Sequence, residues 1–407
     1  MYKRILTLAL CVLLLGLCGL PVNAAVFYED GYQLYEPDEV SADTESFTPS
    51  DGLPVTVRAK AAVLMDVTSG KVLLEKDAHT KLYPASVTKV MSMLLIAEAI
   101  DNGELKLTDE ITASTNASSK GGSQIWLKEG ETMTAEELLK ATAIYSANDA
   151  CTALGEHIAG SSEAFVNLMN DKAKELGMND THFVNCTGLD DATTEHLTTA
   201  YDVALMSRAL LAHEWIREYT TIWMDSLRGG ATELVNTNKL VRFYDGTTGL
   251  KTGTTNKAGC CVSASAQRGE THLIAVVMGS DNSKDRFDGA KTLLNWGFAN
   301  YETVTPQIDR AQITDVRVLK GVCDTIAPQI PETLSVLIPK GKADEITQEI
   351  KVAVDVQAPV EQGQVLGTVT LHLGKETLGA YNLTAPHTVE PLTVGILFRR
   401  LIGVFAG

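Results

Sequence analysis

Pro84-Ala85-Ser86-Val87-Thr88-Lys89 heads a long apolar run, Val87 to Ile100, that stops at Asp101-Asn102-Gly103. The run reads as a helix with a punctuated end. Ser86 and Lys89 are three residues apart, so they share one helical face, one turn apart. The Ser86 backbone N–H, at the helix start, is free to point at a ligand. In that pairing a serine hydroxyl can serve as nucleophile and a lysine as its base, once the lysine's pKa is lowered by burial or a second cation. Taken alone the spacing is a weak signal, since a helix cap followed by a surface lysine produces it by chance.

Two further motifs lie downstream. Ser146-Ala147-Asn148 falls at a junction between two helices. A serine hydroxyl there can relay a proton, and an asparagine amide can hold a peptide carbonyl. Lys251-Thr252-Gly253 falls on a strand, where a glycine lets another backbone approach closely.

The elements around these motifs set the fold class. Ala61 to Asp66 and Lys71 to Leu74 flank Thr68-Ser69-Gly70 as a β-hairpin. Thr134 to Ser146, Ala147 to Ala159, Ser162 to Leu176 and Thr199 to Leu211 read as helices, the first opened by a Thr134/Glu137 capping box. Gly249 to Gly253, Gly259 to Gln267 and Leu273 to Gly279 read as successive antiparallel strands, and Asp285 to Phe298 as a helix. Helices enclosed by N-terminal and C-terminal strands imply an α+β domain, an antiparallel sheet packed with helices, over residues 55–305. From 306 to 390 the helical period vanishes. Short alternating runs between Pro, Gly and charge imply a small all-β domain.

The three motifs, in this order, match the Ser-x-x-Lys, Ser-x-Asn and Lys-Thr-Gly set of serine β-lactamases and penicillin-binding proteins. The chain resembles the D-alanyl-D-alanine carboxypeptidases, the low-molecular-mass penicillin-binding proteins of the S11 peptidase type. Ala147-Asn148-Asp149-Ala150, Thr181-His182-Phe183, Gly188-Leu189-Asp190, His196-Leu197-Thr198-Thr199-Ala200 and Asn295-Trp296-Gly297-Phe298 extend the resemblance over about 55–390. It implies a serine β-lactamase/penicillin-binding-protein-like catalytic domain and removal of the terminal D-alanine from peptidoglycan stem peptides. It also implies covalent inhibition by β-lactams. Ser86 is then the nucleophile, Lys89 its base and Ser146 the proton relay. Asn148 holds the substrate amide and orients Lys89. Lys251 supplies positive potential, Thr252 meets the terminal carboxylate and Gly253 lies on the same strand. The N–H groups of Ser86 and Thr254 form the oxyanion hole. Thr254 stands where some members carry His. Arg286 matches the family's carboxylate-binding arginine, in keeping with an acidic protein that must fix a free C-terminus.

Other classes fit less well. Thirty-four Lys and Arg against 51 Asp and Glu give a net charge of −17, which argues against nucleic-acid binding. No G-x-S-x-G elbow appears. No C-x-x-C or H-E-x-x-H occurs and the eight His show no ligand spacing, so neither a metal nor a cofactor is expected. A β-lactamase would need a deacylating glutamate. Glu163 mimics the Glu-x-x-x-Asn pattern but sits in an amphipathic helix. A non-catalytic penicillin sensor would need a membrane relay to a further domain.

The two ends carry the exported character. Lys3 and Arg4, the apolar Ile5 to Leu20 and Val22-Asn23-Ala24 read as a signal peptide over 1–24. Residues 25–54 form an acidic leader. The remaining cysteines (Cys151, Cys186, Cys260, Cys261, Cys323) are odd in number and read mostly as small buried apolar residues. Residues 391–407 reach about 26 Å as a helix, short of the roughly 30 Å hydrocarbon core. Arg399 and Arg400 gather on one side of that helix, and Leu397, Phe398, Leu401, Ile402, Val404 and Phe405 on the other. This reads as an amphipathic anchor in the interface of the cytoplasmic membrane's outer face. Pro386 and Pro391 suggest a hinge before it.

Overall fold

The computed structural model describes residues 53–190, 193–331 and 334–398. The signal peptide, most of the acidic leader and residues 399–407 lie outside the described residues.

A five-stranded antiparallel sheet organises the first domain. Strands β1 (Ala61–Asp66) and β2 (Val72–Lys76) make the expected hairpin, and β3 (Thr247–Thr255), β4 (Gly259–Arg268) and β5 (Thr271–Ser280) complete the order β2-β1-β5-β4-β3. All ten residues of β5 are buried. Ile274, Val276 and Met278 face one apolar cluster, and Leu273, Ala275 and Val277 face another. A strand covered on both faces has no solvent side, which is why this one lacks a polar alternation. Strand β3, carrying Lys251-Thr252-Gly253, lies at one edge of the sheet.

Helices cover the two faces. On one side lie α1 (Lys89–Asp101), α2 (Ala135–Ile144), α3 (Asn148–Ala159), α4 (Ser162–Glu175) and α5 (Ala200–Leu211); on the other lies α6 (Ser283–Asn300). Every residue of α1 from Lys89 to Ala97 is buried, as expected for a helix apolar all round. The Thr134/Glu137 capping box is formed at α2. One local difference matters. Ala85–Thr88 is a 3-10 turn and the α-helix starts at Lys89. Residues i and i+3 eclipse in a 3-10 turn, so Ser86 and Lys89 still stand one above the other.

Helix α6 runs directly into β6 (Tyr301–Val304), the start of a region built mostly of strands. Strands β7 (Val316–Leu319), β8 (Val336–Pro339), β9 (Ile346–Val352), β10 (Asp355–Gln357), β11 (Val365–Leu373) and β12 (Glu376–Thr384) follow. They form small sheets, β6-β8, β9-β11-β12, and β7 between Thr325–Ile326 and β10. Two apolar clusters fill them. Contacts across the junction include the Thr303 N–H donating to Thr271 Oγ1 at 2.8 Å and an ion pair between Lys71 and Glu376.

The hinge expected near Pro391 is instead a docked segment. Val389 and Val360 exchange both backbone hydrogen bonds, the Val322 N–H donates to Glu390 O at 2.9 Å, and the Leu392 N–H to Lys320 O at 2.7 Å. Proline lacks only its own donor, and at an edge its neighbours can still pair. Residues 394–398 are helical, and Val394, Leu397 and Phe398 are exposed there. No helix among the described residues is long and apolar enough to cross a membrane. Of the five cysteines, Cys151, Cys186, Cys260 and Cys261 are buried and Cys323 is exposed.

Candidate active site

The turn before α1, the junction between α2 and α3, and edge strand β3 converge on one point. Lys89 is fully buried, and its Nζ donates to Ser86 Oγ at 3.1 Å, Ser146 Oγ at 3.4 Å, Asn148 Oδ1 at 2.6 Å and Thr187 O at 3.0 Å. One lysine nitrogen thus joins the first two sequence motifs and touches both serines. Ser86 itself is 7% exposed, the open end of an otherwise closed cluster.

Each group is held by identifiable local structure. Ala85 has φ +48° and Ser146 φ +67°, both left-handed conformations that side chains disfavour. Such strain persists where surrounding packing over-determines it, and it concentrates at functional sites. Asn148 begins α3, and its Nδ2 donates to Gly121 O at 2.7 Å. The next residue, Asp149, accepts from the N–H groups of Ile125 and Leu127 at 3.2 and 2.9 Å. The start of α3 therefore pins the 121–127 loop beside Asn148.

Strand β3 supplies the other wall. A Cβ on Gly253 would stand 2.6 Å from the Ser86 backbone nitrogen. Only glycine lets the strand come this close to the nucleophile's own N–H. Thr252 Oγ1 donates to Thr237 Oγ1 at 2.8 Å, and the buried Lys251 donates to the Thr252 carbonyl at 2.8 Å. Arg286, 1% exposed, reaches the strand from α6. Its Nη1 donates to Gly253 O at 3.2 Å, Thr254 Oγ1 at 3.0 Å and Cys261 O at 3.3 Å, and Nη2 to Ser283 Oγ at 2.9 Å. All nine residues named from the sequence lie on these three walls or brace them.

Several supports were not assigned from the sequence. Asn185 Oδ1 accepts from the N–H groups of Thr187 and Gly188 at 3.0 and 2.7 Å, which aims Thr187 O at Lys89. His196, buried, accepts the Val184 N–H on Nδ1 at 3.0 Å, so its Nε2 carries the proton and donates to Thr88 Oγ1 at 2.8 Å. Burial lowers its pKa to about 4, which keeps it neutral. Thr255 Oγ1 donates to the buried Asp190 at 2.6 Å and ties the far end of β3 to the same loop. Thr88, Gly188, Asp190 and His196 lay in family-like strings without a role, and Asn185, Thr187 and Thr255 carried no signal in the sequence. Glu163 sits exposed in the first turn of α4, beside Ser161 and Asn116 and not among the partners of Ser86 or Lys89. Among the described residues no cluster of metal-binding side chains occurs.

Comparisons with known proteins bear on the family. Residues 46–282 match the D-alanyl-D-alanine carboxypeptidase model of peptidase family S11, and 301–391 match the penicillin-binding protein 5 C-terminal domain. The chain is 42% identical over 350 residues to D-alanyl-D-alanine carboxypeptidase DacF of Bacillus subtilis, covering 85% of this chain and 89% of that protein. It is 35% identical over 380 residues to DacC of Escherichia coli, covering 91% and 92%. The structure is similar to penicillin-binding protein 5 from Haemophilus influenzae, with a TM-score of 0.72 at 30% identity, covering 83% of this chain and 99% of that one. The paired serines around Lys89, the glycine strand against Ser86 and these matches over both domains lead to one conclusion: the chain belongs to the S11 family of D-alanyl-D-alanine carboxypeptidases.

Proposed function

We propose that Ser86 carries the family's D-Ala-D-Ala carboxypeptidase reaction through an acyl-enzyme. Ser86 Oγ attacks the carbonyl between two D-alanines while its proton passes to Lys89. The backbone N–H groups of Ser86 and Thr254 receive the oxyanion. Asn148 holds the substrate amide. Ser146 hands a proton to the leaving D-alanine amine, and water then cleaves the ester on Ser86 and restores the serine. Lys251 and Thr252 meet the terminal carboxylate, and Arg286 adds positive charge beneath Thr254. The observation that carries this reading is the buried Lys89 side-chain nitrogen, within hydrogen-bond reach of both serine hydroxyls, where as the free amine it can accept the Ser86 proton.

β-Lactams are covalent inhibitors on this reading, acylating the same serine. Penicillin-binding protein D2 from Listeria monocytogenes, 32% identical with a TM-score of 0.53, has been solved in an ampicillin-bound form. We divide the chain into a signal peptide, an acidic leader, a catalytic domain to 305, a β-rich domain to 392 and, after that docked end, an anchor segment over 393–407. The exposed Val394, Leu397 and Phe398 support a peripheral location on the outer face of the cytoplasmic membrane.

The test incubates mature protein with diacetyl-L-Lys-D-Ala-D-Ala and with a fluorescent penicillin. D-Alanine release with slow penicillin turnover is expected, and Ser86→Ala loses both D-alanine release and covalent labelling. Fast penicillin turnover without D-alanine release indicates a β-lactamase. Labelling that survives in Ser86→Ala rejects Ser86 as nucleophile.

A further inference from the structure

Asn236-Thr237-Asn238 forms a rigid seat between two walls of the active site. Asn236 and Asn238 are buried, and Thr237 between them is half-buried. Asn236 Nδ2 donates to Thr220 O at 3.3 Å and Ile222 O at 2.8 Å, and its Oδ1 accepts the Asn238 N–H at 2.9 Å. Asn238 Oδ1 in turn accepts the Leu240 N–H at 3.2 Å. Asparagine side chains that bond the backbone two residues on fix a turn without a helix or a sheet. The backbone of Thr237 is therefore set from both sides.

Thr237 touches two of the catalytic walls. Its N–H donates to Ile144 O at 3.1 Å, two residues before Ser146. Its Oγ1 accepts from Thr252 Oγ1 at 2.8 Å, on β3. Thr220, whose carbonyl holds Asn236, also donates through Oγ1 to Thr248 O at 2.8 Å near the start of β3. One residue thus joins the Ser146 junction to the strand of Thr252, although it belongs to neither motif.

The hydroxyl pair has a direction. The single Thr252 hydroxyl proton is committed to Thr237, and a hydroxyl has only one to give. To meet a carboxylate, Thr252 must turn that proton outward. Its oxygen then has a lone pair facing inward, and the Thr237 hydroxyl, 2.8 Å away, has its own proton to donate there. The reversed chain runs from Thr237 to Thr252 to the carboxylate, and each hydroxyl polarises the next.

We propose that Thr237 is a positioning residue: it holds the Thr252 hydroxyl in place and donates to it once Thr252 turns to the substrate's terminal carboxylate. The proposal rests on the carboxypeptidase reading above, which puts that carboxylate at Thr252.

The experiment measures D-alanine release from diacetyl-L-Lys-D-Ala-D-Ala by the wild type, Thr237→Val, Thr237→Ser, Thr252→Val and the Thr237→Val/Thr252→Val double variant. Valine keeps the shape and removes the hydroxyl, and serine keeps the hydroxyl. Wild-type release tests the underlying reading by itself. If it is absent, the same proteins are compared by their acylation rates with fluorescent penicillin, which also carries a carboxylate, and the same ratios decide the role of Thr237. A carboxylate is held in the ground state and the transition state alike, so Thr237→Val should lower kcat/KM at least fivefold, chiefly through KM. Thr237→Ser should stay within about twofold of the wild type. In the Thr252→Val background, Thr237→Val should lower kcat/KM less than twofold further, because the hydroxyl it acts through is gone. Thermal melting reports folding, and Thr237→Ala replaces Thr237→Val in the cycle if the valine variant melts early. An unchanged KM, equal losses in the serine and valine variants, or additive losses in the double variant overturns the proposal.

Discussion

Gly188 passes so close to Ala85 that a Cβ built on it would stand 1.8 Å from the Ala85 carbonyl oxygen. Gly188 also has φ +88°, and its N–H is held by Asn185. The loop that aims Thr187 O at Lys89 thus packs directly against the residue before the nucleophile. We expect Gly188→Ala to displace the Ala85–Ser86 turn. A clash with backbone has no side-chain escape, so the loss of stability should be about 3 kcal/mol or more. Acylation by fluorescent penicillin should fall by at least 100-fold in whatever protein remains folded. A Gly188→Ala variant with native melting temperature and labelling rate would show that the contact is slack.

Much of this site was legible because it rests on short-range geometry. Ser86 and Lys89 are one turn apart whether that turn is 3-10 or α, so the error in the helix start did no harm. The strand glycine at 253 followed from its motif. Thr187 was not legible, because it acts through its carbonyl, which any residue type presents. His196 lies 108 positions from the Thr88 hydroxyl that it supports, and nothing local links them. The continuous burial of β5 was read as a strand without revealing that helices cover both faces. The short hairpin strands at Met224–Leu227 and Thr232–Val235 were missed, since pairs of four residues carry little periodic signal. The segment 389–392 was misread because proline argued for a break, while the bonds that dock it come from the residues on either side.

Two buried histidines should give the fold an acid-sensitive limb. Burial lowers His196 to about 4 and His272 to about 3, the latter helped by Arg217. His272 Nε2 lies 2.9 Å from Thr248 Oγ1, against the start of β3. Both pKa values lie below the ordinary 6.5, so the unfolded chain takes up the protons first. Their contribution is complete above about pH 6.5 and is lost as pH falls through 6.5 toward 4 and 3. At about 1.4 kcal/mol per unit of pKa, the loss is of order several kcal/mol. Asp66 and Asp202 have pKa values raised by burial and work in the opposite direction, gaining stability as pH falls through their raised values toward 3.8. The melting temperature should drop steeply between pH 7 and 4.5, and the slope should flatten in a His196→Gln/His272→Gln variant. A melting temperature independent of pH across that interval would contradict the assignment.

Arg286 should act on both substrates at once. Its Nη1 donates to Gly253 O, Thr254 Oγ1 and Cys261 O, so it braces the strand that lies against Ser86. Removing a buried charge-assisted network costs about 2–3 kcal/mol. Arg286→Ala should lower peptide turnover and penicillin acylation together, by about 30- to 100-fold. Loss confined to the peptide would instead assign the guanidinium to the substrate carboxylate itself.

Leu392 donates to Lys320, so the chain is docked up to that residue, and Thr393 Oγ1 accepts the Ile396 N–H at the start of the C-terminal helix. Val394 is 83% exposed and Phe398 63%. Apolar side chains held out at the end of a docked segment have no core to enter, whereas an interfacial helix buries such a face among acyl chains. The net charge of −17 repels an anionic surface, so the attachment proposed above would rest on this apolar face and on Arg399 and Arg400, which follow it in the sequence. Removing 393–407, and not the docked Pro391-Leu392, should leave melting temperature and small-peptide turnover within about twofold of the full chain. The same truncation should abolish co-sedimentation with vesicles containing phosphatidylglycerol. Leu397→Glu/Phe398→Glu should weaken sedimentation while retaining both arginines, which separates apolar insertion from charge attraction. If the truncated enzyme still sediments with vesicles, the attachment lies elsewhere on the β-rich domain; if it unfolds, the helix is part of that domain's core.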